Sequence, residues 1–366
     1  MRLTKEQEEL RSAVRSVLDR HEGATAWRHL TRQIGIAGLA VPEEYGGAGC
    51  GAREVHVVME ELGRRLSSVP YLGSAVLTIQ ALLASGDEPA CVRLLPPLAG
   101  GGAVGTLAWA ESGSWDPTAI RTEATPGPRA VWRITGTKEH VLYGKMSEGQ
   151  AEAESDVLLV AARTARGVSL FHVATDDPGV RHRPTVTMDQ TRPQARLVFQ
   201  EAEGRIVGRE GDGGRILGHV LDFACTALAA EQVGAAERCL EVTVAYAKER
   251  VQFGRPIGSF QAVKHRLADA YVRVEAARSA ALGAAFAVDE GSVEVTRRAA
   301  AAKSACSEAF SSVAGEMIQL HGGIGITWEH DAHRYFKRAH GSAHLFGSPA
   351  WHRGRLAADL GLTAAR

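Results

Sequence analysis

The chain has 366 residues, 42 basic and 42 acidic side chains, and a formal net charge of zero. Proteins that bind nucleic acid usually carry a basic surplus, so this balance excludes nucleic acid as an expected partner. Hydrophobic residues make up 45% of the chain, which is typical of a globular protein with a sizeable core, and the length allows two or three domains.

The amino terminus predicts a protein without a signal peptide, because Met1–Thr4 leads directly into the charged segment Lys5–Glu9. No apolar run approaches the roughly 18 residues of a membrane span. The cysteines are scattered and odd in number, which indicates reduced core thiols and not a disulfide framework. These features predict a soluble, cytoplasmic protein that does not bind membranes.

Residues 1–103 show a helical pattern. Thr4 and Gln7 form a Thr-x-x-Gln capping box at the start of the first helix. A glycine-rich turn, Pro42–Gly47, separates this region from Glu54–Leu66, where apolar residues recur at helical spacing.

Residues 104–212 change to short β-type runs divided by turn clusters, which predict a small β-barrel or sandwich. The runs are Val131–Ile134, Asp156–Val160, Val168–Val173 and Arg196–Phe199.

Residues 213–366 return to long helical segments, each long enough to cross a helical bundle. They are Arg215–Glu249, Phe260–Asp289 and Val293–Leu320. The order of helices, strands and helices predicts an α+β fold with three domains: an N-terminal helical domain (1–103), a central β domain (104–212) and a C-terminal helical bundle (213–366).

Several common catalytic and cofactor motifs are missing from the sequence. There is no G-x-G-x-x-G after a strand, no phosphate loop, no H-E-x-x-H, no C-x-x-C and no G-x-S-x-G. Six of the fourteen histidines lie in the last fifty residues, and His330/His333 and His340/His344 have spacings that could share a helical face. No carboxylate or thiolate partner is obvious, so we interpret them as packing or surface residues and predict no metal site.

The segment from Arg250 to Gln261 joins two of the long helices. Gly254 and Pro256 are suited to stop one helix and restart the next, which is the simplest interpretation. That interpretation leaves an arginine, an aromatic residue and two glutamines, Gln252 and Gln261, unexplained. Arginine forks bind phosphates, and glutamine amides offer donors and acceptors to the edge of a heterocycle.

A second segment, Gln319–Thr327, has glycines at Gly322, Gly323 and Gly325, just past an alanine-rich helix. One glycine in the left-handed conformation would serve as a helix C-cap. Three glycines in four positions exceed that requirement and would let a ligand approach the backbone closely.

Together and in this order, the two segments resemble the acyl-CoA dehydrogenase family of flavoproteins. The family's R-x-x-F-G…P-I…F-Q pattern matches Arg250 through Gln261, and its Q-x-x-G-G-x-G pattern matches Gln319 through Gly325. Weaker matches are Val41–Gly49 and Ile134–Lys138. The resemblance covers nearly the whole chain and implies the family's fold, in which the C-terminal domain is a four-helix bundle.

The resemblance also implies FAD as a cofactor, held between two subunits. Arg250 would meet the pyrophosphate of the neighbouring subunit's FAD, and Phe253 and Gln261 would border its adenosine portion. The residues implied to bind the cofactor are Arg250, Gln252, Phe253, Gln261, Gln319, Gly322 and Gly323. Because these contacts are made in trans, the family assembles at least as a dimer and usually as a dimer of dimers.

The sequence departs from the family where a carboxylate removes the substrate's α-proton. In most members that acid precedes a glycine and a small hydroxyl residue in a late loop, and here the loop Leu345–Ser348 has Phe346 in its place. Other members place the base where Ala224 stands. Asp222 is on another side of the helix, and Glu231 shares the face of Ala224 but is about 10 Å along the axis. We therefore predict no catalytic residue and interpret Glu231 more simply as a solvated or structural acid.

The β-domain half of the flavin site is also altered. Members usually have a Thr-Glu pair in the strand matching Leu107–Glu111, and here Ala110 replaces the threonine. They usually have a tryptophan and a threonine after the lysine that matches Lys138, and Glu139–Leu142 has neither at its expected place.

This asymmetry predicts an oxidoreductase subunit that completes the FAD site of a homologous catalytic subunit in a heterotetrameric acyl-CoA dehydrogenase. The resemblance implies an acyl-CoA substrate, a role in lipid or steroid catabolism, and an electron-acceptor protein. Two alternatives stay open. One is a homomeric FAD enzyme with altered chemistry on a CoA-bound or carrier-bound acyl group, and the other is a non-catalytic scaffold or binding subunit.

Overall fold

The structure is a computed structural model that describes residues 3–142 and 156–362. It divides into two compact units. Unit 1 contains the chain up to Leu18, the segment Val55–Ser67 and the chain from Cys225 onward, and unit 2 contains Asp19–Glu54 and Ser68–Ala224. The domain boundaries expected from the sequence stay a prediction.

The elements follow the predicted order of helices, strands and helices. The α-helices of the described residues are α1 (Lys5–Leu18), α2 (Gly23–His29), α3 (Ala52–Arg64), α4 (Ile79–Ser85), α5 (Glu88–Ala99), α6 (Gly213–Glu249), α7 (Gln261–Asp289), α8 (Val295–His321), α9 (Ala332–His344) and α10 (Pro349–Asp359). The strands are β1 (Gly105–Ala108), β2 (Glu123–Pro126), β3 (Trp132–Leu142), β4 (Val157–Thr164), β5 (Gly167–Val173), β6 (Val180–Thr185), β7 (Gln194–Val207), β8 (Val251–Gln252) and β9 (Arg255–Pro256).

The first helix begins as the capping box predicts. The backbone N–H of Gln7 donates to Thr4 Oγ1 over 3.3 Å, and the N–H of Thr4 donates to Gln7 Oε1 over 3.1 Å. These two reciprocal bonds satisfy donors that the helix itself leaves open.

Strands β1–β7 form the mixed sheet of unit 2. Following the pairings β4–β2, β2–β3, β3–β7, β7–β5 and β5–β4 returns to the starting strand, so the sheet closes into a barrel. Its interior is apolar, with Ile134, Phe171, Leu197 and Phe199 fully or almost fully buried. All four predicted runs are strands, and of the two predicted β architectures the barrel is correct. A register shift between Lys138 and Val141 marks a bulge in β3.

Helices α3 and α6 cross closely in unit 1 because glycine faces backbone at both contact points. A Cβ added to Gly63 would lie 2.0 Å from the carbonyl oxygen of Glu231, and one added to Gly234 would lie 1.9 Å from that of Glu60. Any side chain at either glycine would therefore force the two helices apart.

Helix α6 corrects one expectation, because it is long and apolar enough to cross a membrane. An 18-residue window in it reaches a mean hydropathy of 1.2, but 89% of that window is buried inside the protein. The burial identifies α6 as a core helix, and it was the only such helix found among the residues that the structure describes. Its alanines pack in the core, as do Cys225 and Cys239, neither of which forms a disulfide.

Candidate functional site

The segment after α6 is a β-hairpin, and not simply the stop and restart of helices that the sequence predicts. Gln252 of β8 pairs with Arg255 of β9 across a two-residue turn. Phe253 and Gly254 in that turn have φ values of 53° and 76°. Two positive values are typical of the type I′ turn, which matches the twist of a hairpin and favours glycine or asparagine over phenylalanine.

Phe253 is at the tip of this hairpin and is 92% exposed. A bulky residue with positive φ costs roughly 1–2 kcal/mol, and an exposed apolar ring gains nothing from burial. Neither the strain nor the exposure of Phe253 is offset by burial in its own chain. The ring of Phe253 meets that of Phe260 edge-on, with 6.2 Å between the ring centres.

The glycine segment after α8 leaves its backbone open. Gly322 has φ 62° and ψ −139°, a conformation that only glycine adopts readily. A Cβ added to Gly323 would meet nothing within 4 Å, and its φ is not in the left-handed range. Neither local packing nor dihedral strain requires glycine at that position, and the open space leaves its backbone accessible. Gln319, Gly322 and Gly323 are all exposed.

Tyr246 connects the hairpin with the glycine segment at one end of unit 1. Its carbonyl accepts from the N–H of Arg250 over 2.8 Å, and its ring stacks on His321 at 4.3 Å. The hydroxyl of Tyr246 donates to the carbonyl of His321 over 3.4 Å. The structure therefore brings the two predicted segments together. The sequence pattern did not identify Tyr246, although its place one helical turn before Arg250 is visible there.

His321 carries a buried polar atom beside the glycine segment. Its Nδ1 donates to the carbonyl of Met317 over 2.7 Å, whereas its Nε2 has no hydrogen-bond partner among the described residues. Burial lowers the pKa of His321, so the ring is neutral with an unused acceptor at Nε2. An unused acceptor next to open glycine backbone fits a site that binds a cofactor.

The loop after α9 holds Phe346 fully buried, with a φ of 61°. The Phe346 carbonyl accepts from Nε2 of His352 over 2.9 Å. The buried Nζ of Lys303 donates to the carbonyls of Ala343 and Gly347, over 3.0 Å and 3.1 Å. Polar groups thus hold the backbone on both sides of position 346, and the side chain there offers no proton acceptor. Neither His352 nor Lys303 was predicted from the sequence to support this loop.

Glu231 is buried in unit 1, 3% exposed, and forms an ion pair with the equally buried Arg338 at 2.9 Å. A second guanidinium nitrogen of Arg338 donates to the carbonyl of Ser67 over 3.4 Å. The carboxylate is therefore a structural acid, and the solvated alternative that the sequence left open is wrong.

Lys138 and Glu111 form a buried ion pair inside unit 2. Burial lowers the pKa of Lys138 to about 8, against the opposing effect of Glu111. The carboxylate of Glu111 also accepts from the backbone N–H groups of Arg121 and Thr122. These contacts account for both charges within the unit, so the pair is a fixed structural element.

Aromatic rings occupy the neighbourhood of this pair. His140 lies in the bulge of β3 with a φ of 52°, and its ring centre is 5.9 Å from that of Trp115. Trp115 in turn meets Trp109 at 5.1 Å. His140 lies in the stretch after Lys138 where the resemblance leads us to expect a tryptophan and a threonine. The Nδ1 atom of His140 is 2.9 Å from Oε1 of Gln194.

The histidines near the carboxyl end belong to no group of three or more potential metal ligands in the part of the chain that the structure describes. His321 and His330 are in ring contact at 4.4 Å, and His333 packs against Trp328.

Comparison with known proteins agrees with the observed architecture. The model of the acyl-CoA dehydrogenase N-terminal domain matches residues 4–102, and that of the C-terminal domain matches residues 211–361. The acyl-CoA dehydrogenase IpdE2 of Mycobacterium tuberculosis is 40% identical over 359 residues, covering 94% of this chain and 94% of that protein.

Two solved structures superpose over almost the whole chain. The ChsE4–ChsE5 complex from Mycobacterium tuberculosis has a TM-score of 0.87 at 31% identity, covering 100% of this chain and 99% of that chain. The steroid ACAD Tcur3481–Tcur3483 has a TM-score of 0.85 at 33% identity, covering 99% of both. The chain thus belongs to the acyl-CoA dehydrogenase family, the FAD-dependent flavoproteins that oxidise CH–CH bonds.

Proposed function

We propose that this chain is the subunit without a catalytic base of a heteromeric acyl-CoA dehydrogenase, and that it completes the FAD site of a homologous catalytic subunit. The proposal rests on a contrast between the segments expected to meet the neighbour's FAD and the position expected to hold the catalytic base. The hairpin and the glycine segment are exposed and open. At position 346, by contrast, a buried phenyl ring replaces the proton acceptor that dehydrogenation requires.

The names of two structural relatives support a heteromeric assembly and a steroid substrate. One is the complex of ChsE4 with ChsE5, and the other is the steroid ACAD Tcur3481–Tcur3483, which also pairs two chains. By analogy with them, we propose that this chain acts in the cytoplasm in a heterotetramer on the CoA thioester of a steroid side chain. An electron-acceptor protein would then reoxidise the complex.

Bound FAD would supply the hydride acceptor, and the catalytic subunit would supply the base. The residues of this chain would bind and orient the FAD of the neighbouring subunit. The guanidinium of Arg250 would neutralise phosphate charge, Phe253 and Gln261 would border the adenosine portion, and Gln252 would offer an amide to the cofactor. Gln319, Gly322 and Gly323 would line the same channel and would let the ligand approach the backbone.

The residues in unit 2 that would serve this chain's own FAD do not fit the group in the family's manner. Ala110 has no hydroxyl to offer the ring, and His140 is held by Gln194 in the bulge.

The test is to purify the assembly through a tag on this chain, expressed in its native host, and to identify the accompanying subunit by mass spectrometry. We expect a homologue with an acid at the position of Phe346, and yellow protein only when both chains are present. Arg250→Gln should lower FAD content, whereas Arg32→Gln, the same change at another exposed arginine, should not. A tagged chain that is yellow alone, holds one FAD per chain and oxidises an acyl-CoA would refute the proposal.

The structure gives the homomeric alternative little support. It needs a different base, and Glu231 is already neutralised by Arg338 in the core. Glu231→Gln is expected to reduce stability without a selective effect on turnover. For the scaffold alternative, Arg250→Gln would leave both FAD content and activity unchanged.

A further inference from the structure

Arg255 faces Gln252 across the hairpin and is not among the residues that the family resemblance assigns to the cofactor. Its guanidinium carbon lies 4.0 Å from the centre of the Phe260 ring, which in turn meets Phe253 edge-on. A guanidinium stacked on an aromatic face has its N–H groups directed outward in the plane, free to donate. This cation–π contact therefore holds a cationic donor beside the exposed tip.

Arg250 and Arg255 are both exposed, and neither has a carboxylate partner within the described residues. Arginines elsewhere in unit 1 are usually paired. Arg266, one turn into α7, binds Glu316 at 2.6 Å, and Arg278 binds Glu237 at 2.7 Å. Two uncompensated guanidiniums on one short hairpin, in a chain of zero net charge, are suited to an external dianion.

We propose that Arg255 is a second arginine of the cofactor-binding hairpin, which together with Arg250 binds the pyrophosphate of a dinucleotide. This inference rests on the proposed function, since the dinucleotide is the FAD of the neighbouring subunit. A pyrophosphate is a dianion, so a single arginine compensates only half of its charge, and two planar forks provide donors for both phosphates. The Phe260 ring preorganises the second fork, which reduces the entropy lost on binding.

The experiment titrates FAD into the assembled protein after its flavin has been removed, and measures affinity by the quenching of flavin fluorescence. The variants are Arg255→Gln, Arg255→Lys, Phe260→Leu and Arg250→Gln, with Arg32→Gln as the matched control. Losing one charge-assisted contact should raise the Kd for FAD about tenfold or more in Arg255→Gln. Arg255→Lys and Phe260→Leu should lie between that variant and wild type. The first keeps the charge but loses the fork, and the second keeps the guanidinium but loses the ring that orders it. Arg32→Gln should bind as wild type does.

Two further probes identify the group that Arg255 recognises. Riboflavin lacks phosphates, so its affinity should not change in Arg255→Gln, and an equal loss for riboflavin and FAD would overturn the proposal in favour of a purely structural role. CoA carries a pyrophosphate of its own. A variant that binds CoA more weakly and FAD normally would assign Arg255 to the substrate and overturn its assignment to FAD.

The Arg250→Gln variant separates this inference from the proposed function. If Arg255→Gln binds FAD as the control does while Arg250→Gln binds it more weakly, the assignment of Arg255 to the pyrophosphate is wrong and the proposed function stands. If both variants bind FAD as the control does, the proposed function fails as well.

Discussion

His352 shows how a single side chain supports the loop that carries Phe346. Its Nε2 donates to the Phe346 carbonyl, and its Nδ1 has no hydrogen-bond partner among the described residues. Burial, and then the nearby charge of Lys303, lowers the pKa of His352 to about 3. The ring is therefore neutral at physiological pH, and protonating it would place a second cation in a buried site.

The stability of the protein should depend on pH through this histidine. The pKa is lower in the folded state than the ordinary value of 6.5, so the stabilisation is present above pH 6.5 and is lost as the pH falls toward 3. The free energy of unfolding of the wild type, measured by urea denaturation, should fall as the pH is lowered from 7 to 4.5. His352→Asn removes the titrating ring, so the slope of this fall should be smaller by up to about 1.4 kcal/mol per pH unit.

The matched control is His265→Asn, at an exposed position of α7. It should leave the slope of the wild type unchanged. A His352→Asn variant with the same slope as His265→Asn would show that the buried ring does not control acid stability.

Some of these residue-level features were accessible from the sequence. Phe346 was identified because it interrupts a known pattern. Lys303 and Tyr246 were not, because a lysine or tyrosine in a long helix gives no sign of whether it faces carbonyls, another ring or solvent. Glu231 was left as solvated or structural, because only the position of Arg338 on α9 decides between them.

At the scale of elements, ion pairs hold α1 against the rest of unit 1. Arg11 binds Glu60 at 2.7 Å, and Arg15 binds Glu61 at 2.7 Å. Glu60 also binds Arg278 of α7 at 2.8 Å. Burial raises the pKa of Glu60, but the opposing effects of His56, Arg278 and Arg11 are together larger and lower it to about 2.

Glu60→Gln should lower the free energy of unfolding by about 3 kcal/mol, because it removes the charge that two guanidiniums share. The folded-state pKa is below the ordinary value of 4.5, so the stabilisation from Glu60 is present above pH 4.5 and is lost as the pH falls toward 2. Urea denaturation at pH 7 measures the effect, and Glu290→Gln at an exposed position is the control. Equal stability of the two variants would contradict a structural role for the cluster.

Most long elements were predictable from the sequence, and several short ones were not. Periodicity over 27 to 37 residues located α6, α7 and α8 to within two residues of their observed ends. The hairpin of β8 and β9 was missed because each strand has two residues, too few to show alternation. Its turn also has phenylalanine where sequence rules expect asparagine or glycine, an exception that belongs to the functional tip.

At the scale of the whole molecule, the sequence predicted the α+β order because helical and alternating patterns change near residues 103 and 212. It could not predict which segments share a compact unit. Val55–Ser67 belongs with the chain from Cys225 onward, and the glycine contacts between α3 and α6 join these two segments. Such contacts join residues more than 150 positions apart, and local pattern carries no information about them.

The number of FAD molecules in the assembly depends on two parts of this chain. One is the hairpin with the glycine segment, and the other is the altered flavin site of unit 2. If the hairpin and glycine segment serve the neighbour's FAD while unit 2 lacks the family's flavin contacts, then only one of two related sites in each pair of chains binds FAD. We therefore expect about one FAD for every two chains, arranged as a dimer of heterodimers.

Native mass spectrometry of the purified assembly, combined with flavin absorbance after denaturation, measures this ratio directly. Arg250→Gln in this chain should lower the FAD content of the assembly even though the FAD belongs to the other subunit's site. A ratio near one FAD per chain would mean that unit 2 binds flavin despite Ala110 and His140. In that case the missing base at Phe346, and not the missing flavin, would be the sole reason that this chain depends on a partner for catalysis.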